Sequence, residues 1–379
     1  MTGVLQVIQQ GQLRGAEVFA LDLARELAAA GGWRVSLLSL SAVNDAYGAA
    51  AADAGLPVDV AGGGRPGRFE PGLAWTLRSI IDRRDCRIVQ ANGAATLKYV
   101  VAARRLSRRP WRLVYRAIGM GSYWRRGLTR RLTYRWLLSH ADLVVAVGRA
   151  VADDLVRGDR VDPRRVVVVP NGVRPARIAS AAADRERVRA ALGVSPSAHL
   201  LLYVGSLTGE KNVAALVDLV AALRGQGLPV HALLLGAGSL RDHLANAAAR
   251  RGLAEAIHLQ SPQQRPGPYF SAADLFVLPS SSEGMPAALI EAGMAGLPAV
   301  AYAVGGVPEV VEDQVTGRLV PPGDQNRLTQ AVAELLRDGM RRRAMGEAAR
   351  SRYRRFEIST VARAYGEAYM TLLRERRSA

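Results

Sequence analysis

Short runs of apolar, β-branched residues alternate along the whole chain with amphipathic stretches of helical periodicity. Some of these runs, such as 200–204 and 230–235, are apolar on both faces of the strand. A strand that is buried on both faces is typical of a parallel sheet covered by helices on both sides. Gly or Pro bounds the runs, and the longer spacers between them favour βαβ units. The pattern therefore predicts an α/β fold built on parallel sheets.

The alternation falls into two blocks, separated by a polar stretch rich in Ala and Arg at 176–192. A chain of 379 residues is also long enough for two domains. We therefore predict a first Rossmann-like domain over 1–172, a second over 173–355 and a C-terminal helix over 356–379. The predicted strands are 4–8, 34–40, 88–90, 112–115, 142–147, 166–169, 200–204, 230–235, 256–259, 274–278 and 299–302. The predicted helices lie near 16–30, 71–83, 127–139, 211–224, 239–251, 286–295 and 357–377.

Composition excludes several classes of protein. With 49% apolar residues the chain can bury two cores, so it is not globally disordered. A single cysteine excludes a disulfide framework and a cysteine-cluster zinc site, and five scattered histidines argue against a histidine-rich metal site. No apolar run approaches the ~18–20 residues of a membrane span, and the first residues do not resemble a signal peptide. We expect a cytoplasmic protein.

The net charge of +18 is unevenly distributed. No acidic residue lies between Asp85 and Asp142, an interval with thirteen basic residues. Within it, residues 122–136 interleave Arg with Trp and Tyr, which suits an anionic membrane surface, such as the inner face of the membrane, or a phosphate-bearing acceptor. Alternatively, Leu128, Leu132 and Trp136 form a buried helical stripe that leaves the arginines in solvent. The residues expected to contact such a surface or acceptor are Arg125, Arg126, Arg130 and Arg131, together with Trp124.

Two glutamates, Glu283 and Glu291, lie between the predicted strands 274–278 and 299–302. Eight steps of about 100° rotate Glu291 about 80° off the face of Glu283, so both cannot line one helical stripe. We place Glu283 in a loop and Glu291 inside a helix whose first turn contains Pro286. Backbone amides at the helix start would bind an anion, and the carboxylates would bind sugar hydroxyls. The alternative is a surface helix with two solvated acids.

This segment resembles the Glu–seven–Glu signature of retaining glycosyltransferases of the glycogen-synthase-like superfamily (glycosyl transferases group 1, family 4). The resemblance is dense in the second half and thin between 45 and 140. It implies a GT-B arrangement of two Rossmann-like domains facing each other across a cleft, with the acceptor on the first, the donor on the second and the last helix crossing back to the first. The similar segments are 15–38, 141–155, 166–173, 203–212, 233–244, 271–284, 304–313 and 316–324.

The resemblance also implies roles for residues of the second domain. Glu283 would hold a donor-sugar hydroxyl, Glu291 the ribose hydroxyls and Lys211 the diphosphate. The backbone from Gly284 through Met285 to Pro286 would cradle the far side of the sugar. The family usually has an arginine where this chain has Ser206, so half of the usual cationic clamp is absent or supplied elsewhere. The remaining expected donor-site residues are Gly205, Gly236 and Gln260.

In the first domain the resemblance points to the loop with Arg14 and Gly15, which follows the first strand. Arg14 stands where glycine is usual and could reach a phosphate in place of the arginine absent at 206. Family members often have a histidine after the strand at 112–115, where this chain has Arg116. Arg116 either takes over that polar role or the role is lost. The expected catalytic residues are therefore Glu283, Lys211 and Arg116.

The expected activity is retaining transfer of a sugar from a nucleotide diphosphate sugar to an acceptor hydroxyl. The acceptor would be a carbohydrate, a lipid-linked sugar or a small molecule. We expect no metal and no other cofactor. Nucleic-acid binding would explain the charge but not the glutamate segment, so we expect no nucleic-acid partner. The alternatives are a nucleotide-sugar 2-epimerase of the same fold and a non-catalytic nucleotide-sugar-binding protein.

Overall fold

The computed structural model describes residues 1–62, 69–124 and 127–375. The chain divides into two compact units. The first comprises Met1–Gly172 together with the residues from Ile358 onward, and the second comprises Val173–Glu357. Each unit is built on one parallel sheet, so the α/β fold predicted from the alternation is confirmed.

The first unit contains a seven-stranded sheet in the order β3-β2-β1-β4-β5-β6-β7. Its pairs are all parallel. β1 and β4 are neighbours in the middle, and the chain proceeds outward from them in opposite directions. Loops that follow these two strands therefore meet at one edge of the sheet. The strands are β1 (Thr2–Ile8), β2 (Trp33–Ser39), β3 (Val58–Val60), β4 (Cys86–Asn92), β5 (Arg112–Ala117), β6 (Leu143–Ala146) and β7 (Val166–Val168).

Helices cover this sheet, and the last helix of the chain packs against the first one. Tyr365 lies 5.8 Å from the ring of Phe19, and Tyr369 meets Trp33 edge-on at 5.7 Å. The Tyr369 hydroxyl also donates to Gln90, inside the buried sheet. The helices of this unit are α1 (Gly15–Ala29), α2 (Asp45–Asp53), α3 (Pro71–Arg83), α4 (Ala94–Leu106), α5 (Gly121–Trp124), α6 (Leu128–Ser139), α7 (Arg149–Asp153) and α17 (Ile358–Arg374).

The second unit contains a six-stranded sheet in the order β10-β9-β8-β11-β12-β13. Its pairs are parallel, and β8 and β11 are the central neighbours from which the order reverses. The middles of β8, β9, β11 and β12 are apolar and buried, as expected of a sheet covered on both faces, whereas those of the edge strands β10 and β13 are half-buried. The strands are β8 (His199–Val204), β9 (Val230–Leu235), β10 (Ile257–Gln260), β11 (Leu275–Leu278), β12 (Ala299–Tyr302) and β13 (Gly317–Val320).

All three helices predicted in the second unit begin one to three residues later than expected, and for two of them the backbone shows the reason. The expected helix at 211–224 begins at Ala214, because Gly209–Lys211 form a 3-10 turn and Asn212 is left-handed with φ 49°. Pro286 precedes its helix as an extended residue, with ψ 111°, rather than lying in the first turn. The helices are α8 (Pro175–Ile178), α9 (Asp184–Ala191), α10 (Ala214–Gly225), α11 (Arg241–Arg250), α12 (Gly267–Ala272), α13 (Ala287–Met294), α14 (Val307–Val310), α15 (Gln325–Arg337) and α16 (Gly339–Arg352).

Candidate functional site

The strand order of the second unit creates a crevice at the carboxyl ends of β8 and β11. Connections leave these neighbouring strands toward opposite sides of the sheet. Open α/β sheets bind ligands at such a switch point, because the diverging loops leave space between them. The loops that border the crevice are 205–213, after β8, and 279–286, after β11. They contain most of the residues that the sequence assigns to the donor.

Gly205, Ser206, Gly236 and Gln260 are brought together at this edge. The amide of Gly236 donates to the Gln260 carbonyl at 2.9 Å, and the Tyr203 hydroxyl donates to the Ser206 carbonyl at 2.9 Å. A Cβ on Gly236 would lie only 1.9 Å from the carbonyl oxygen of Gly205. Glycine is therefore required for the two loops to approach so closely.

Lys211 and Glu283 form an ion pair across the crevice, with 2.8 Å between Nζ and Oε1. The Glu283 side chain is 8% exposed and the Lys211 side chain 21% exposed. The two loops are also joined by the Ser281 amide, which donates to the Glu210 carbonyl at 2.9 Å. Burial raises the pKa of the neighbouring Glu210; the Lys211 charge opposes this rise and the Glu283 charge adds to it. The Lys211 ammonium thus lies near two carboxylates and forms an ion pair with one of them, Glu283.

The backbone around Gly284 is fixed by a third loop. The Gly306 amide donates to the Glu283 carbonyl at 3.2 Å, and a Cβ on Gly306 would lie 1.8 Å from the Gly284 carbonyl oxygen. Met285 is buried, and Pro286 leads directly into α13. This segment is therefore held in one conformation at the start of the helix.

Glu291 lies within α13 and is 6% exposed. Its Oε1 accepts a hydrogen bond from Nε of Arg177 at 2.8 Å, and Nη1 of the same guanidinium donates to the Gln264 carbonyl at 3.0 Å. Sequence reasoning missed Arg177. It lies 114 positions before Glu291 in a stretch rich in arginine, so no local signal distinguishes it.

The remaining predicted residues belong to the first unit. Arg14 and Gly15 lie at the start of α1, in the loop that follows the central strand β1, and both are exposed. Arg116, near the end of β5, is only 1% exposed. Its Nη2 donates to Asn171, and its guanidinium lies 3.7 Å from the centroid of the Phe19 ring. Arg116 is thus buried at the carboxyl end of β5 and is not a surface cation.

A second titratable group near Arg116 was not predicted. Glu17, in the first turn of α1, is 8% exposed, and burial raises the pKa of its carboxyl to about 7. A hydrogen bond from its own backbone and the charges of Arg14 and Arg116 oppose that rise. An acid in a first helical turn is common, so sequence alone did not single it out.

The basic run at 122–136 includes α6, which is almost entirely at the surface. Leu128, Leu132 and Trp136 are 72%, 52% and 48% exposed. The buried stripe proposed for them is therefore wrong: this helix is anchored by Leu138, its one buried residue. Arg130 and Arg131 share the exposed surface. Arg125, Arg126 and the side chain of Trp124 lie outside the described part of the structure.

None of the helices in the described residues has the length and apolar character needed to cross a membrane. Within the same ranges, no three His, Cys, Asp or Glu side chains are grouped as a metal-ligand set.

Family models match both halves of the chain. Residues 13–177 match the Glycosyltransferase Family 4 model, and residues 184–352 match the model of glycosyl transferases group 1. Relatives include the D-inositol 3-phosphate glycosyltransferases of Segniliparus rotundus, 32% identical over 63% of this chain, and of Salinispora arenicola, 33% identical over 61%. The matched regions span only 54% and 56% of those proteins.

Solved structures match nearly the whole chain. One is Anabaena HepE in complex with UDP and glucose, with 22% identity, a TM-score of 0.86 and coverage of 98% of this chain and 100% of the other. Another is sucrose-phosphate synthase from Thermosynechococcus elongatus, with 20% identity, a TM-score of 0.84 and coverage of 99% and 100%. At these identities the likeness establishes the fold. Because the two family models together match most of the chain, it belongs to the glycosyltransferases of group 1 and family 4, which share the GT-B fold.

Proposed function

We propose that this chain is a retaining glycosyltransferase that moves a sugar from a nucleotide diphosphate sugar to an acceptor hydroxyl. The observation that carries the proposal is the Lys211–Glu283 ion pair at the switch point of the second unit. Glu291 lies in α13, the helix that follows the Glu283 loop. Together these residues offer a cation for a diphosphate and carboxylates for hydroxyl groups. UDP is the first donor nucleotide to test, because the Anabaena structure contains it.

In the proposed mechanism, the bond between the sugar and the diphosphate breaks while the acceptor oxygen approaches the same face of the sugar. The Lys211 ammonium offsets the negative charge that develops on the departing phosphate. Glu283 accepts a hydrogen bond from a donor-sugar hydroxyl and holds the ring in place. The leaving phosphate oxygen takes the acceptor proton. No step needs a metal ion, so we expect EDTA to leave the rate unchanged.

The proposed acceptor is a polyol that carries a phosphate. The relatives are named for inositol 3-phosphate, and thirteen basic residues without an acid lie between Asp85 and Asp142 in the first unit. The exposed face of α6, with Leu128, Leu132 and Trp136 beside Arg130 and Arg131, favours in addition a peripheral contact with an anionic lipid surface. The two proposals use the same chemistry, which is attraction between arginine and phosphate.

The test is to incubate the purified chain with UDP-, GDP- and ADP-sugars and inositol 3-phosphate, and to determine the anomeric configuration of the product by NMR. Retention at the anomeric carbon, with nucleoside diphosphate released in equal amount, is the expected result. An inverted product would contradict the retaining mechanism. Donor consumed to a C2-epimeric sugar without acceptor would instead identify a 2-epimerase. Binding without turnover in any combination would identify a nucleotide-sugar-binding protein.

A further inference from the structure

Arg177 links two parts of the second unit that are distant in sequence. It lies in α8, and its guanidinium reaches both the Glu291 carboxylate on α13 and the Gln264 carbonyl in the loop after β10. The Arg177 side chain is 13% exposed and that of Glu291 is 8% exposed. This is therefore a mostly buried ion pair and not a mobile surface contact.

The geometry of the pair restrains how Glu291 can face a ligand. A guanidinium is planar, so two hydrogen bonds to different partners fix its plane and with it the position of the carboxylate oxygen that it holds. The pair uses Oε1 of Glu291, and a carboxylate can accept hydrogen bonds at both of its oxygens.

We propose that Arg177 is a positioning residue for ribose recognition: it holds the Glu291 carboxylate oriented so that it accepts hydrogen bonds from the ribose diol of the donor nucleotide. This inference rests on the proposed function, because it assumes that Glu291 contacts the nucleotide. It assigns Arg177 no contact with the diphosphate. Arg177 therefore acts through Glu291 and does not replace the arginine absent at position 206.

The test compares binding of nucleotides with and without ribose hydroxyls by titration calorimetry on the full chain. Wild type is offered UDP, GDP and ADP, and then the 2′,3′-dideoxy form of the one that binds best. We expect wild type to prefer the ribose form by about ten- to a hundredfold, the range for hydrogen bonds to a charged group. In Arg177→Met this preference should fall to less than about threefold, while affinity for the dideoxy nucleotide stays near that of wild type.

Two further variants separate positioning from a general structural role. If Arg177 acts through Glu291, the double variant Arg177→Met/Glu291→Gln should discriminate no less than Glu291→Gln alone. Arg177→Lys, which keeps the charge but not the planar fork, should recover part of the preference. The control is Arg318→Met, which removes another ion pair of the same unit, to Glu334 at 2.8 Å, and should retain the full preference.

Several results would overturn the inference. Equal weakening of ribose and dideoxy nucleotides in Arg177→Met, with the preference intact, would show that Arg177 serves the diphosphate or the fold. Additive losses in the double variant would show that Arg177 does not act through Glu291. Failure of wild type to bind any of the three nucleotides would overturn the proposed function and this inference with it. Binding without ribose preference would overturn only the role of Glu291 and Arg177.

Discussion

Lys211 is the residue on which charge stabilisation at the donor site depends. Its ammonium is 2.8 Å from Glu283, at the loop where a departing diphosphate would gain charge. We expect Lys211→Ala to remove about 2–4 kcal/mol of transition-state stabilisation, the usual cost of losing one fixed donor to a developing anion. This loss should appear as a lower kcat/KM. The measurement is steady-state kinetics with the donor identified by the screen.

Lys98 provides the matched control for that prediction, because it is the other lysine of the chain and lies in the first unit, over the ring of Tyr99. Lys98→Ala should keep wild-type kinetics. Arg14→Ala should be milder than Lys211→Ala. If instead Arg14→Ala is severe and Lys211→Ala mild, the exposed loop arginine is the main cation for the diphosphate, and the order assigned to the two residues is wrong.

The two glutamates should separate donor binding from turnover. Glu291→Ala should weaken donor binding, because hydrogen bonds between a hydroxyl and a charged acceptor contribute about 1.5–3 kcal/mol each. Glu283→Ala should mainly lower kcat, because its contact with the sugar matters most while the sugar–phosphate bond breaks. Calorimetric Kd values and kcat for both variants test this. Unchanged values in both would remove the basis of the site assignment.

Some features of the candidate site could be predicted from the sequence and others could not. The glutamate spacing was sufficient to place Glu283 in a loop and Glu291 in a helix, because helical geometry excludes a shared face. Arg177 could not be found, since its contact with Glu291 spans 114 positions and exists only after the second unit has folded. Arg116 was assigned a polar role, but its burial depends on Phe19 and Asn171, which are distant in sequence.

At the scale of elements, strands buried on both faces were predictable and marginal elements were not. The runs at 34–40 and 200–204 correspond closely to β2 and β8. β3 has only three residues, none of them buried, so it has no apolar signal. α4 contains Thr96, Val100 and Val101, which favour strands, and its helical state is imposed by packing on the sheet. β13 begins at a glycine within a short run and was likewise missed.

Strands β9 and β10 contain a pair of histidines whose titration should affect stability. Nδ1 of His231 lies 3.2 Å from Nε2 of His258 and the two rings are nearly parallel, so one ring nitrogen donates a hydrogen bond to the other. Burial and the nearby Arg224 lower the pKa of His231, and burial and His231 lower that of His258. In the unfolded chain the pKa of both histidines would be about 6.5.

The sign of the effect follows from these lowered pKa values. Below about pH 6.5 the unfolded chain binds more protons than the folded chain, so the stabilisation present at higher pH is lost as the pH falls. We expect the urea midpoint of the second unit to fall between pH 7.5 and 5.5, and to fall less in His258→Gln, which can hydrogen-bond but not ionise. The exposed His243→Gln is the control. Equal pH dependence in all three proteins would contradict the prediction.

At the scale of the whole molecule, the chain leaves the first unit after Gly172 and re-enters it at Ile358. The re-entering helix α17 buries Tyr365 and Tyr369 completely in the first unit, next to Phe19 and Trp33. The first unit is therefore completed only by the last residues of the chain. The apolar spacing of α17 predicts a helix packed on one face. The residues that this face contacts lie more than 300 positions earlier in the sequence.

With a net charge of +18, the whole molecule is expected to be attracted to an anionic membrane surface. α6 exposes Leu128, Leu132 and Trp136 beside Arg130 and Arg131. Each arginine near an anionic bilayer contributes about 1 kcal/mol of attraction, and inserted apolar side chains add to it. We expect the protein to co-sediment with vesicles containing phosphatidylserine at low salt, and to be released at 1 M salt, where the Debye length is about 3 Å.

The variants for that experiment separate charge from insertion. Arg130→Ser/Arg131→Ser should weaken binding and reduce its dependence on salt, whereas Leu132→Ser/Trp136→Ser should weaken it at every salt concentration, because burial of apolar surface is not screened. Trp75→Ser is the control, since Trp75 is 55% exposed but lies on α3, outside the basic run. Negligible sedimentation in all conditions would leave α6 a solvated helix, and the basic residues would then serve a soluble phosphorylated acceptor. Equal sedimentation with neutral vesicles would show that the arginines do not contribute to membrane binding.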